Sequence, residues 1–519
     1  MAHLAPLDYV AIAAYFVVTA LIGLWSARGD TTSEDLFLAG RTLGPVAVGF
    51  SLYAANVSSD TLIGLPGAAY ATGISVANYE WMAGLVLIFT AVFVLPVILR
   101  ARVTTMPELM ERRFDPRLRK YLSAVTLFLS VVLDTASSLY AGSVVVLTFA
   151  PGFSLWQMCA IVAAFTAIYT AFGGLRAVVR TDVMQAFVLL GGSIMLTVLV
   201  FRHFDYSWAK VTAAVDPDKL HLLEPLSGPG VPWLGTLIGL PVAGFYYWTM
   251  NQYVIQRQLG ARDLPAAGRG ALIAAGMKLL NLFFMVLPGV MAIALLPKLV
   301  HPDSVYPEMV AHFAPVGATG LIIAGLLAAL MSSVSAILNS AATLITVDFI
   351  QPRWPRLTSR QLARLGRVLT LVIAVLAAVW APMIREFHGL FAYMQQLFGY
   401  VASPLVAIFL IGLWDKRLGA SAALRGLVTG HVFSVILFVL RQTGVVSIHF
   451  TLIAGVVCVA TMLFTYGWMG RLGAADRPPA ADARIAVIAR QGLSRVPRDV
   501  LIGSVLILLL TALLLVALR

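Results

Sequence analysis

Charge is what this chain has least of. Only 12% of its 519 residues are Asp, Glu, Lys or Arg, about half of what a soluble domain carries. Apolar residues make up 60%, with a mean hydropathy of +0.90. A water-soluble fold is excluded, because the polar side chains are too few to cover its surface. Cysteine is scarce as well. The two present, Cys159 and Cys458, both fall in apolar runs, which excludes a disulfide framework or a thiolate metal site and leaves them as small core residues. No HExxH, Walker or CxxC pattern occurs, and the one sizeable inner segment, 472–496, is an Ala/Arg-rich linker rather than a catalytic or sensor-kinase domain. Repeated rings of charged or carbonyl groups, as a channel would need, are also missing. Finally, Met1 to Pro6 holds no basic residue and Arg28 follows the first apolar run, so that run reads as a retained span and not a cleavable signal.

Long hydrophobic runs are abundant. Runs of about 18 to 30 residues with few charges predict an all-α membrane protein with fourteen spans. They lie near 8–27, 44–69, 75–99, 121–150, 154–173, 177–201, 231–256, 270–297, 312–347, 366–384, 387–413, 418–440, 447–470 and 499–518. The net charge of +12 comes from Lys and Arg in short loops, with no continuous basic face for nucleic acid. Their distribution encodes orientation. With the N-terminus outside, the inner loops and the span ends that adjoin them hold 28 Lys and Arg and the outer segments 7, the buried Lys278 completing the 36. This positive-inside split places both termini outside.

Two spans carry breaks. The second contains Ala54-Ala55-Asn56-Val57-Ser58-Ser59-Asp60-Thr61 followed by Gly64-Leu65-Pro66-Gly67, and the seventh contains Gly239-Leu240-Pro241-Val242-Ala243-Gly244. With the first span set aside, these become the first helix of each half of a five-plus-five arrangement. A matched pair of Gly/Pro-interrupted segments marks the midplane site of an inverted-repeat transporter. Glu80 and Lys278, opposite charges in apolar spans, point to a polar site inside the bundle, since a charge at bilayer depth costs at least about 2.5–3.5 kcal/mol. Asp134 reads either as a carboxylate satisfied by neighbouring hydroxyls or as a substrate or ion contact. In the ninth span Ser332 and Ser333 follow Ala329. Membrane-helix hydroxyls usually bond back to their own helix. Beside an unwound helix, however, the Ala54 and Val57 carbonyls, the Ala329 carbonyl and the two serine hydroxyls would give a sodium ion five oxygen ligands. Asp182, opening the sixth span, reads as a cap or as a station on the ion's inward exit path.

These residues resemble the sodium:solute symporter family, in its sodium/glucose cotransporter branch with a LeuT-type core. The resemblance rests on Glu34 to Arg41, Ala54-Ala55-Asn56, Tyr79-Glu80-Trp81, Met106-Pro107-Glu108, Arg113-Phe114, Gly173-Gly174-Leu175, Thr181-Asp182-Val183, Asn251-Gln252, Gln256-Arg257, and Ser332-Ser333 ahead of Leu338-Asn339-Ser340-Ala341. It implies one extra N-terminal helix (8–27), two inverted repeats (44–201 and 231–413) and three extra C-terminal helices (418–518). It also implies a sugar site formed by Glu80, Lys278 and Gln395, with Tyr247 and Asn56 closing the inner side and Leu65, Tyr79 and Phe391 the outer lid. Thr61, Ala83 and Gly244 stand where sugar-binding relatives carry larger or more polar side chains, which implies a roomier pocket. In members with a second sodium, the extra site uses positions matching Asp182, Ser335 and Ala336. Ala336 supplies no hydroxyl, so one sodium per substrate is expected.

The expectation is a sodium-coupled symporter of a sugar or polyol in a bacterial inner membrane, compatible with a monomer in the lipid bilayer. An amino-acid, nucleoside or carboxylate symporter of the same fold is the alternative. The lack of arginine in the third core helix disfavours a carboxylate.

Overall fold

In the computed structural model, residues 4–26, 38–149, 152–170, 175–226, 228, 230–296, 299–387, 389–476 and 496–518 are described, and they are almost entirely helical. The only β pairing among them is two isolated bridges, Leu43 with Ala261 and Glu224 with Pro232. The first half comprises α1 (Pro6–Ser26), α2 (Pro45–Asn56), α3 (Ser59–Thr72), α4 (Ile74–Ala101), α5 (Pro116–Phe149), α6 (Leu155–Thr170) and α7 (Leu175–Arg202). The second comprises α8 (235–250), α9 (Gln252–Leu259), α10 (Leu264–Leu295), α11 (Ala318–Arg353), α12 (Ser359–Trp380) and α13 (Leu390–Trp414). After them come α14 (Ala420–Gln442), α15 (Phe450–Leu472) and α16 (Arg498–Ala517). Among the described residues, ten helices are long and apolar enough to cross a membrane.

Local chemistry sets the helix ends. Asp115 accepts from the Arg117 and Leu118 amides at 2.8 and 3.2 Å ahead of Pro116. Asp263 accepts from the Ala266 amide at 2.7 Å, and Thr358 with Gln361 forms a capping box. Each arrangement satisfies amide groups that the helix leaves open. The central layer is α10 packed along α2 and α4, and α11 lies against α1 and α7. α12, α14 and α16 turn apolar faces outward, with Val375, Val435 and Leu506 all more than 60% exposed. In an aqueous protein such a surface would be a liability; it suits a hydrocarbon surround.

The first helix break lies where the sequence places it. Val57 (φ −79°, ψ 67°) leaves the helix and Ser58 (φ −95°, ψ −176°) is extended. The Gly64-Leu65-Pro66-Gly67 run beyond it is continuous helix. Its glycines serve packing instead, because a Cβ on Gly67 would sit 2.5 Å from the Pro302 carbonyl oxygen. Gly289 on α10 plays the same part opposite Pro66, at 2.3 Å from its carbonyl. The second break corrects the expectation: it falls at Asn251 (φ −65°, ψ 121°), beyond Met250 and not in the Gly239–Gly244 run. Pro241 lies inside α8, directly after the π-helical turn Gly235–Gly239, and the helix runs on past it to Met250.

Candidate functional site

Lys278 and Glu80 meet. The ammonium of α10 lies 2.5 Å from Glu80 Oε2 on α4, and Asn281 Nδ2, one helical turn beyond Lys278, donates to the same oxygen at 2.5 Å. Asn281 Oδ1 in turn accepts from Tyr53 OH of α2 at 2.7 Å. Lys278 is wholly buried and Glu80 is 5% exposed. The ammonium also stands over the rings of Trp248 and Tyr53, with ring centres 5.1 and 5.7 Å away. The cation is therefore held by a carboxylate and two aromatic faces. The sequence predicts a polar site inside the bundle from these two charges, and here they form one closed pair. Such a pair carries both donors and acceptors and no net charge.

Around it the other expected residues fall into three groups. Tyr79 and Phe391, expected as the outer lid, make an edge-to-face contact with centroids 4.7 Å apart, and Gly64 lies against Phe391. A cavity of about 170 Å³ lies at this contact, lined by Gly64, Ala68, Tyr79, Asp303, Phe391 and Phe450 among others. Leu65 is fully buried beside Gly64 on α3. At the residues expected to close the inner side, Tyr253 OH donates to Tyr247 OH at 2.7 Å, and Tyr247 lies beside Asn56. Thr61 Oγ1 donates to the Asn56 carbonyl at 2.5 Å, so that hydroxyl is turned to the break. Ala83 is buried on α4, Gly244 faces Val86, and Gln395 is half-buried with no hydrogen bond among the described residues. Asp134 lies farther in, on a π-helical turn of α5, accepting from Asn251 Nδ2 at 3.2 Å.

The proposed sodium ligands divide between two elements. Ala54 and Val57 end α2 at the break, where the last carbonyls of a helix lack intrahelical partners. Ala329 and Ser333 are buried on α11, and Ser333 Oγ has no hydrogen-bond partner among the described residues. Thr343, Thr346 and Thr370, by contrast, each donate to the carbonyl four residues back. A buried hydroxyl that passes over its own helix has its lone pairs free for a ligand. The side chains of Ser332 and Asp182, and motif residues 34–37 and 173–174, lie outside the described residues.

Several functional groups escaped the sequence reading. Asn281 could have been found from its i, i+3 spacing to Lys278. Tyr53 and Trp248 read as ordinary apolar-run aromatics. Asp60 was in plain view in the first break, and Asn251 in a quoted motif. Both are buried, and Asp60 Oδ1 and Asn251 Oδ1 have no partner. Arg257, counted with an inner loop, is 1% exposed and its Nε donates to Ser51 Oγ at 2.9 Å, tying α9 to α2.

The model of the sodium:solute symporter family matches residues 36–430. The chain is 34% identical over 465 residues to a sodium/glucose cotransporter of Vibrio parahaemolyticus, covering 84% of this chain and 85% of that one. The chain belongs to the sodium:solute symporter family. It is also 32% identical over 466 residues to a sodium/mannose cotransporter of Bos taurus, covering 82% and 78% of the two chains. Among solved structures, a Na+-coupled sialic acid symporter in a substrate-bound, outward-open state superposes with a TM-score of 0.76 at 22% identity, over 91% of this chain and 98% of that one. Mhp1, a nucleobase-cation-symport-1 family transporter, gives 0.60 at 15% identity, over 88% and 99%. These likenesses establish a LeuT-type fold for this family member.

Proposed function

We propose that the chain imports a neutral sugar or polyol with sodium, by alternating access around the Glu80–Lys278 pair. That pair is the observation that carries the reading. It offers a carboxylate acceptor and ammonium and amide donors within one bond length of each other, the complement of vicinal hydroxyls, and its neutrality gives a charged substrate no counter-ion. Gln395 adds a half-buried amide to the same side. Tyr79 and Phe391 act as the outer lid, and Tyr247, held by Tyr253, as the inner one.

Sodium coordinated by the Ala54, Val57 and Ala329 carbonyls and the Ser332 and Ser333 hydroxyls would hold the broken α2–α3 element against α11. Substrate binding and lid closure then follow, and loss of the ion past Asp182 loosens the inner side. One charge crossing about 100 mV supplies about 2.3 kcal/mol and a tenfold gradient about 1.4 kcal/mol more, enough together for roughly 500-fold accumulation. In this reading fourteen spans divide as 8–27, 44–201, 231–413 and 418–518, both termini lie outside, and a monomer works in a bacterial inner membrane. Competition against labelled hexose uptake by deoxy analogues, polyols and amino acids tests the substrate. A site built to bond hydroxyls rejects an analogue lacking one by a large factor. Best competition by an amino acid, with Gln395→Ala leaving its affinity unchanged, would overturn the assignment.

A further inference from the structure

Between the two helix breaks lies a polar cluster that borders the inner side of the sugar site at Asn56 and supplies no ligand to the α2–α11 sodium site. Asp60 opens α3 immediately after the first break, Asn251 is the second break itself, and Asp134 stands on the π-helical turn of α5 facing Asn251. Their side chains are at least 94% buried. Among the described residues neither Asp60 nor Asp134 forms an ion pair, since Lys278 is bonded to Glu80. Among the described residues, four oxygens here are buried without a hydrogen-bond partner: Asp60 Oδ1, Asp134 Oδ1, Asn251 Oδ1 and Asn56 Oδ1. Asp60 and Asp134 are within electrostatic reach of each other. Tyr246, Tyr247, Tyr253 and Tyr393, on α8, α9 and α13, and Lys278 on α10 lie within electrostatic range of one or both carboxylates. Asp303, which caps α13 and accepts from Tyr140, is the other buried carboxylate of the α3 surroundings.

A buried carboxylate with an empty acceptor position is costly, and two near each other more so. A cation set among these oxygens removes both costs. Asn251 donates to Asp134 through its nitrogen, which leaves its oxygen to join the carboxylates as an acceptor.

We infer that Asp60, Asp134 and Asn251 form a second monovalent-cation site, distinct from the α2–α11 sodium site, that joins the two helix breaks. It rests on the sodium-coupled reading above and adds a cation to the one sodium assigned there. The oxygen set suits a sodium ion or a proton shared by the carboxylates. Because its ligands come from both broken helices and from α5, the cation would be held only while these elements are together, coupling its release to the alternating motion.

The test is cation binding without sugar, so it does not depend on substrate identity. Purified protein in nanodiscs is titrated with sodium-22 between pH 6 and 8.5, and protons released or taken up are measured alongside. The wild type is expected to hold two cations. Ser333→Ala should lose one and keep the other, and Asp134→Asn should do the reverse, with Asp60→Asn as an independent variant should Asp134→Asn fail to fold. A second sodium appears as two sodium-22 bound at every pH. A proton appears as one sodium bound and one proton titrating, with the titration gone in Asp134→Asn and Asp60→Asn. A single bound cation in the wild type, unchanged in both Asp variants and lost in Ser333→Ala, overturns the site and leaves sodium coupling intact. Loss of every cation in Ser333→Ala, with both Asp variants unchanged, overturns it as well.

Discussion

Replacing Lys278 by Met isolates what the buried pair does. Lys278 is wholly buried and its ammonium is one of two donors to Glu80 Oε2, the other being Asn281. Met fills much the same volume and can still lie against Trp248 and Tyr53, so little packing is lost. What remains is a carboxylate 5% exposed with its cation gone. Removing one member of a buried pair costs about 3–5 kcal/mol, less whatever is recovered when Glu80 takes up a proton. The full penalty is therefore an upper bound, and about 2–4 kcal/mol is the expected loss on that scale. Glu80→Gln combined with Lys278→Met removes both charges, keeps an acceptor for Asn281, and should restore most of that stability. Neither variant should transport, because the double variant lacks both the anion and the cation that meet the hydroxyls. The assays are thermal unfolding in a fixed detergent and labelled hexose uptake, run on the wild type and both variants. Equal stability of Lys278→Met and wild type would refute the structural argument, and wild-type uptake by the double variant would refute the functional one.

Ser333→Ala removes a hydroxyl with no hydrogen-bond partner among the described residues, so stability should hold while half-saturating sodium for uptake rises at least about tenfold, the loss of one oxygen ligand costing about 1.4 kcal/mol or more. Tyr79→Ala breaks the edge-to-face contact with Phe391, worth about 0.5–1.5 kcal/mol beyond area burial; substrate dissociation to the outer side, followed by stopped-flow displacement, should quicken about 2- to 12-fold, and an unchanged rate would remove Tyr79 from the lid. Gly289→Ala places a methyl 2.3 Å from the Pro66 carbonyl, a backbone clash that should lower the unfolding temperature by overpacking of about 1–3 kcal/mol, whereas Gly276→Ala, which meets nothing within 4 Å, should not.

Much of the architecture could be read from hydropathy because lipid removes the alternatives: an apolar run long enough to span must be a helix. The charged pair Glu80 and Lys278 was legible for the same reason, since a charge at membrane depth stands out against apolar neighbours. Their union was not, because nothing in linear order says that α4 and α10 lie side by side. Gly239 to Gly244 misled on the position of the second break. Composition marks where a helix can bend, but the bend occurs at Asn251, whose side chain has Asp134 as a partner. Asp60 went unread because it sits among small polar residues that a helix break would need anyway. Its burial, and the empty oxygen it leaves, belong to three dimensions. Ser333 was picked from a serine cluster, and its orphan hydroxyl is the observation that separates it from the helix-bonded threonines.

The most direct test of sodium-coupled sugar import is concentrative uptake of a labelled hexose into proteoliposomes under an inward sodium gradient, with the interior negative. The hexose should accumulate above the external concentration, and the accumulation should vanish when potassium replaces sodium or when the gradient is collapsed. Uptake that proceeds equally in potassium, or that only equilibrates under a full sodium gradient, would contradict it.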